Sequence, residues 1–348
     1  MNICSLSKGT VRENLSKGGV KMKHIGFKGM MAICMAIIFM FAFGLMSSQA
    51  NAADITVTKK LTINDIVAGP VEKFVQGGNF LEGPIMDKKG NLWVVSIGSG
   101  WISKITPSGN WTDVFHSGGQ PQGLEIGRDG RLYGTDRKRG VFVYDPRTKK
   151  VSDYVRYFQN QNFHGPNDLI FDHEGGLYFT DPWGTSPLNP RGGIYYVSPG
   201  GKEVKRLIEN LHFPNGIALS PDDKNLYIAD CMTNRVLTVP VEKPGVINIG
   251  FAHVSTYLTA GWGPDGLCVD ANGNIYQSQY GAGRVVVIDP NGFIIGNINL
   301  PVGEGAQTTN CAFGVGKDSN TLYITEAGDN VIWKVRLKTR GLKLWRDM

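Results

Sequence analysis

The 348-residue chain is 41% hydrophobic, 19% charged and 10% aromatic, with 46 glycines and 17 prolines. That mixture excludes a disordered chain, a collagen and a coiled coil, and the length suits one large domain or two ordinary ones. Most of the formal charge of +6 sits in the first 52 residues, where Lys8, Arg12, Lys17, Lys21, Lys23 and Lys28 face the single acid Glu13. Setting those aside leaves 30 basic against 29 acidic residues from totals of 36 and 30, so no domain-wide footprint for nucleic acid or an anionic membrane remains.

Residues 1–52 read as a secretory signal. Lys21, Lys23 and Lys28 precede an apolar run from Met30 to Met46, and Ala50 and Ala52 supply small residues at −3 and −1, which predicts cleavage after Ala52. An uncleaved anchor is the competing reading, for which this 17-residue run is short. Translation starting at Met22 would give a more ordinary leader. The expected mature chain, 53–348, is therefore exported to the periplasm or the extracellular space, with no membrane association after cleavage. Its three cysteines, Cys231, Cys268 and Cys311, include no C-x-x-C and fit neither a zinc knuckle nor a dense disulfide framework. Cys268 and Cys311 lie on apolar strand patterns and read as core residues.

An aromatic dyad then recurs six times: Leu92-Trp93, Leu132-Tyr133, Leu177-Tyr178, Leu226-Tyr227, Ile275-Tyr276 and Leu322-Tyr323, spaced by 40, 45, 49, 49 and 47 residues. A Gly/Asp/Asn turn precedes each dyad and an alternating strand follows it, as in Gly140–Tyr144 or Arg284–Ile288. Short strands without 3.6-residue periodicity mean an all-β chain, and this period with about four strands per unit predicts a six-bladed β-propeller. Only one strand, Asn330–Arg336, follows the sixth dyad, so Val71–Gln76 is expected to complete the last blade and close a single domain.

One polar residue stands before each dyad at the start of the innermost strand: Glu82, Gln122, Asn167, Asn215, Asp265 and Asn310, at offsets of 10, 10, 10, 11, 10 and 12. Pseudo-symmetry sends all six toward the central channel. Asn, Asp and Gly also suit tight loops, but Glu and Gln are poor turn formers. Two carboxylates in a confined mouth repel one another and call for a cation. Oxygen donors without thiolate or imidazole suit Ca²⁺ first, with Mg²⁺ or Mn²⁺ as alternatives.

The runs Leu81-Glu82-Gly83-Pro84, Pro166-Asn167-Asp168, Pro214–Ser220, Pro264-Asp265-Gly266 and Thr308–Gly314 resemble the senescence marker protein (regucalcin)/gluconolactonase family. Phe179–Gly184 and Gly192–Pro199 further resemble its gluconolactonase and drug-responsive lactonase branch. The resemblance covers nearly all of the mature chain. It implies hydrolysis of a small-molecule lactone with a divalent cation, usually Ca²⁺ and sometimes Zn²⁺. It further implies metal ligation by Glu82, Asn215 and Asp265, with Asp265 the proposed base, and Asn167 on the substrate or a metal-bound water. An arginine that regucalcin-like members place two residues before that asparagine is Gly165 here, beside His164, which speaks against a sugar-acid lactone more than against hydrolysis.

In the expected mechanism the cation polarises the lactone carbonyl while Asp265 deprotonates the attacking water. Asp168 is a second candidate base, and its other role is a strand-start carboxylate satisfied by backbone N–H groups. His164, three residues before the third ring position, could shuttle a proton at the mouth or be simply solvated. Gln122 and Trp183 are candidate substrate contacts, with Trp262 and Tyr280 as further pocket walls or packing residues. His116, His173, His212 and His253 show no metal-ligand spacing, and no G-x-S-x-G, P-loop or strand–helix G-x-G-x-x-G occurs. Asp270–Asn274 begins like an EF-hand loop but lacks its closing Glu, so it reads as a hairpin turn. Other hydrolase or lyase chemistry fits the scaffold too, as does a non-enzymatic propeller binding protein or another ligand around a structural metal. A binding propeller has no need of two channel carboxylates. No feature sets an oligomeric state.

Overall fold

The computed structural model describes residues 60–347, so the expected leader and its cleavage site lie outside the described residues. Among the described residues six antiparallel sheets of four or five strands form the blades of a six-bladed β-propeller. A two-stranded hairpin, Tyr157–Phe158 with Gln161–Asn162, lies between the second and third blades along the chain. Blade 1 runs Leu81–Met86, Leu92–Ser96, Trp101–Ile105 and Trp111–His116, from the channel outward. The innermost strands of blades 2 to 6 are Pro121–Ile126, Leu169–Phe171, Pro214–Leu219, Gly263–Val269 and Thr308–Phe313. Each innermost strand neighbours the next, and that of blade 6 neighbours that of blade 1. Val67–Gln76 is the outermost strand of blade 6 and pairs antiparallel with Val331–Leu337, beginning four residues earlier than its sequence pattern predicted.

The dyads owe their form to side-chain alternation along a strand, which sends adjacent residues to opposite faces. Six apolar clusters are present, one between each pair of consecutive blades. The dyad Leu or Ile packs toward the preceding blade and its aromatic partner toward the following one. Leu177 thus joins the cluster between blades 2 and 3, and Tyr178 that between blades 3 and 4. Both are fully buried, and each such side chain stabilises its interface by roughly 2 kcal/mol.

The blades are not perfectly regular. Blade 4 carries a fifth strand, Val246–Ile247, which pairs with Arg235–Lys243 beside His253–Tyr257. After the last blade, Leu342, Leu344, Trp345 and Arg346 line the channel cavity, with Trp345 against Phe171 at 4.6 Å between ring centres. Among the described residues no helix is long and apolar enough to cross a membrane. Asp270 accepts from the N–H groups of Asn272 and Asn274 at 2.9 Å, which makes that segment the expected hairpin turn.

Candidate functional site

The six ring residues sit where the inner strands break register. The ladder between the first and second strands slips at Glu82/Ile85, Pro121/Leu124, Pro214/Ile217, Pro264/Leu267 and Thr308/Asn310. A bulge bends the strand and re-aims one side chain, here toward the axis. In blade 3 regular pairing begins only at Leu169, just past Asn167 and Asp168. Neighbouring inner strands approach so closely that glycine follows four of the ring residues. A Cβ at Gly83, held at φ +52°, would lie 2.5 Å from the Gln122 carbonyl oxygen, and one at Gly266 would lie 1.9 Å from Asn310 Cγ. Hydroxyls lash the strands together: Thr180 donates to the Asn215 carbonyl and Thr309 to that of Leu81, each at 2.7 Å, and Thr135 donates to that of Asn167.

Glu82, Asn215, Asp265 and Asn310 converge with Asp168 and are all buried. Asn310 Nδ2 donates to Glu82 Oε2 at 3.1 Å, and the Gly83 N–H donates to the same oxygen at 2.7 Å. Asp168 accepts from the Leu169 N–H at 2.9 Å and from the Ile217 N–H at 3.4 Å. Asp265 hydrogen-bonds with Asn215 and Glu82, yet its Oδ1 is buried without a partner.

Burial, the largest cause, pushes Glu82 up to about 8 and Asp168 up to about 7. Burial, reinforced by repulsion from Glu82 and Asp168, holds Asp265 well above the usual carboxylate range. Glu82 and Asp265, the latter with an orphaned oxygen, together with Asn215 supply oxygen donors of the kind a hard cation takes. Asp168 lies near enough to oppose the ionisation of both carboxyls. Among the described residues no three His, Cys, Asp or Glu side chains form a cation cage by themselves; the cluster needs its asparagines.

The other expected site residues fall around this cluster. Asn167 is buried in the ring, its carbonyl accepting from Gly123 at 2.8 Å. Gln122 is buried too, but its amide turns to the Gln120 carbonyl at 3.3 Å. His164 is exposed, and its backbone N–H is held by Asp181 at 2.9 Å. Trp183 packs edge-on against Phe213 at 5.3 Å, whereas Trp262 is 78% exposed.

Two features carried no recognised sequence signal. Glu125 and Arg346 are buried and line a channel cavity of about 70 Å³ that Asp168 also lines. Glu125 interrupts the apolar pattern Leu124-Glu125-Ile126, the one mark that could have found it. Burial, opposed by Arg346, pushes Glu125 up to about 8.

The sequence matches the pattern described as the SMP-30/gluconolactonase/LRE-like region over residues 80–328. It is 31% identical over 308 residues to the lactonase drp35 of Staphylococcus haemolyticus, covering 84% of this chain and 94% of that protein. The fold resembles a gluconolactonase of Xanthomonas campestris with a TM-score of 0.69 at 22% identity, covering 80% of this chain and 94% of that one. It also resembles the calcium-binding regucalcin of Agrobacterium tumefaciens with a TM-score of 0.68 at 24% identity, covering 80% and 98%.

Proposed function

The chain belongs to the SMP-30/gluconolactonase/LRE-like family, and on that premise we propose that it is an exported, metal-dependent lactonase. The observation that carries the proposal is the channel cluster of Glu82, Asn215 and Asp265 with the orphaned Asp265 Oδ1. Those three residues, with Asn167 and Asn310 beside them, would hold one divalent cation, Ca²⁺ before Zn²⁺, Mn²⁺ or Mg²⁺. When bound, it supplies a Lewis acid for the ester carbonyl.

The chain's own groups do the rest. Asp265, with the carboxylate oxygen it does not give to the cation, takes the proton of the attacking water as the water's oxygen bonds to the carbonyl carbon. Collapse of the tetrahedral adduct breaks the ring C–O bond, and the same carboxyl returns its proton to the departing alkoxide. The product is a hydroxy acid. Asp168 stands ready as a second carboxyl within the cluster, while Asn167 orients water or substrate. The inner strands exclude bulk water from the cluster, which strengthens each of these polar contacts.

Hydrolysis of γ-, δ- and aromatic lactones, each with Ca²⁺, Mn²⁺, Zn²⁺ or chelator, tests the reading. Asp265→Asn is expected to lower kcat/KM by about 10²- to 10⁴-fold while the protein stays folded, and chelation to abolish turnover. Full activity in chelator would refute the metal dependence. N-terminal sequencing of the exported protein is expected to begin at Ala53.

A further inference from the structure

Between ring residues Gln122 and Asn167 the channel mouth carries a stacked pair that the repeat does not require. Arg137 directly follows the second strand of blade 2, Leu132–Asp136, and its backbone N–H donates to the Gln120 carbonyl at 2.9 Å. Its guanidinium carbon lies 3.3 Å from the centre of the Trp183 ring. Trp183 also packs edge-on against Phe213.

The loop leading into Asn167 passes the pair so tightly that only glycine fits. A Cβ at Gly165, φ +150°, would lie 2.5 Å from Trp183 Cδ1 and 2.8 Å from Arg137 Cγ. Asp181 fixes that loop by accepting from the N–H groups of His164 and Gly165 at 2.9 and 2.6 Å. The stack is therefore positioned by the same backbone that presents Asn167.

Among the described residues nothing uses the guanidinium's donors. Arg139, Arg147 and Arg235 each pair with an aspartate, but among the described residues Arg137 makes no ion pair or side-chain hydrogen bond, and it is exposed. The Trp183 indole N–H also lacks an acceptor. An aromatic face satisfies only one face of a guanidinium and leaves its planar edge free, the geometry that takes a carboxylate bidentately. A fixed cation at this sector of the mouth would select how an anionic substrate enters.

We propose that Arg137, stacked on Trp183, is a specificity-determining residue that binds a carboxylate borne by the lactone away from its ester. This rests on the lactonase function above and narrows its substrates to anionic lactones. The test compares the γ-lactone of 2-hydroxyglutaric acid with its uncharged methyl ester on the full chain, Arg137→Gln and Arg137→Lys. Arg137→Gln is expected to raise KM for the acid about 10- to 100-fold with kcat nearly unchanged, to leave the methyl ester unaffected, and to be partly rescued by lysine. Equal effects on both lactones, or on neither, would overturn the assignment while leaving lactonase function intact. If the unsubstituted chain opens no lactone of any kind, both conclusions fall together.

Discussion

Glu82, Asp168 and Asp265 share one consequence of burial: each binds its proton more tightly in the folded than in the unfolded chain. Their stabilising effect is therefore full below about pH 4 and is lost as pH rises through about 7 for Asp168 and about 8 for Glu82. In chelator the melting temperature should fall between about pH 5 and 8, and added Ca²⁺ should restore it most at the upper end, where it binds carboxylates without displacing protons. Thermal melts with and without chelator read this directly; a flat chelator profile would mean the carboxyls ionise freely. Asp265→Asn should make the chelator profile shallower and blunt the response to Ca²⁺, because it removes one of the three buried acids together with its repulsion from Glu82 and Asp168.

At the scale of the strand, a second ring of polar residues supports the first. Four residues beyond the start of each dyad stand Ser96, Asp136, Asp181, Asp230, Gln279 and Glu326, all buried at the end of the second strand of a blade. Most of them hold mouth loops: Glu326 accepts from the N–H groups of Gln307, Gly328 and Asp329, and Gln279 donates to the carbonyls of Thr259 and Ala260. Asp181 does so for His164 and Gly165. Asp181→Ala would strip two N–H groups of their acceptor and should cost about 2 kcal/mol in denaturant unfolding. It should also raise KM for lactones by loosening the loop before Asn167. Unchanged stability would show that the loop finds other partners. This ring is as regular in the sequence as the inner one, with the same register against the dyads. Its members vary from Ser to Glu, and only Asp181, followed by Pro182, has the flanking Gly or Pro that marks most of the inner ring.

Across the whole molecule, the C-terminal segment completes the channel. Leu342 packs with the cluster between blades 4 and 5, Leu344 with those on both sides of blades 2 and 3, and Trp345 with the one between those two blades. Ending the chain at Gly341 should lower stability by about 3–5 kcal/mol and open the cavity shared by Glu125 and Asp168 to dye binding. Unaltered melting would show that the blades alone seal the channel.

The sequence by itself determined the all-β class, six blades, the positions of their second strands and the inner ring of oxygen-bearing residues. These follow from local alternation and a repeat, both written in consecutive residues. Tertiary structure decided the rest. Only the closed circuit of inner strands brings Glu82 beside Asn310, more than two hundred residues away, and buries Asp168 deeply enough to raise its affinity for a proton. Only the packing of blades 2, 3 and 4 sets Arg137 on Trp183 with Phe213 edge-on against it. The tail from Leu342 to Arg346 has no strand period and no motif, so its place at the channel comes from the four inter-blade apolar clusters it packs against. Desolvation and contact between distant segments are properties of the assembled ring, and no stretch of sequence short enough to carry a motif contains them.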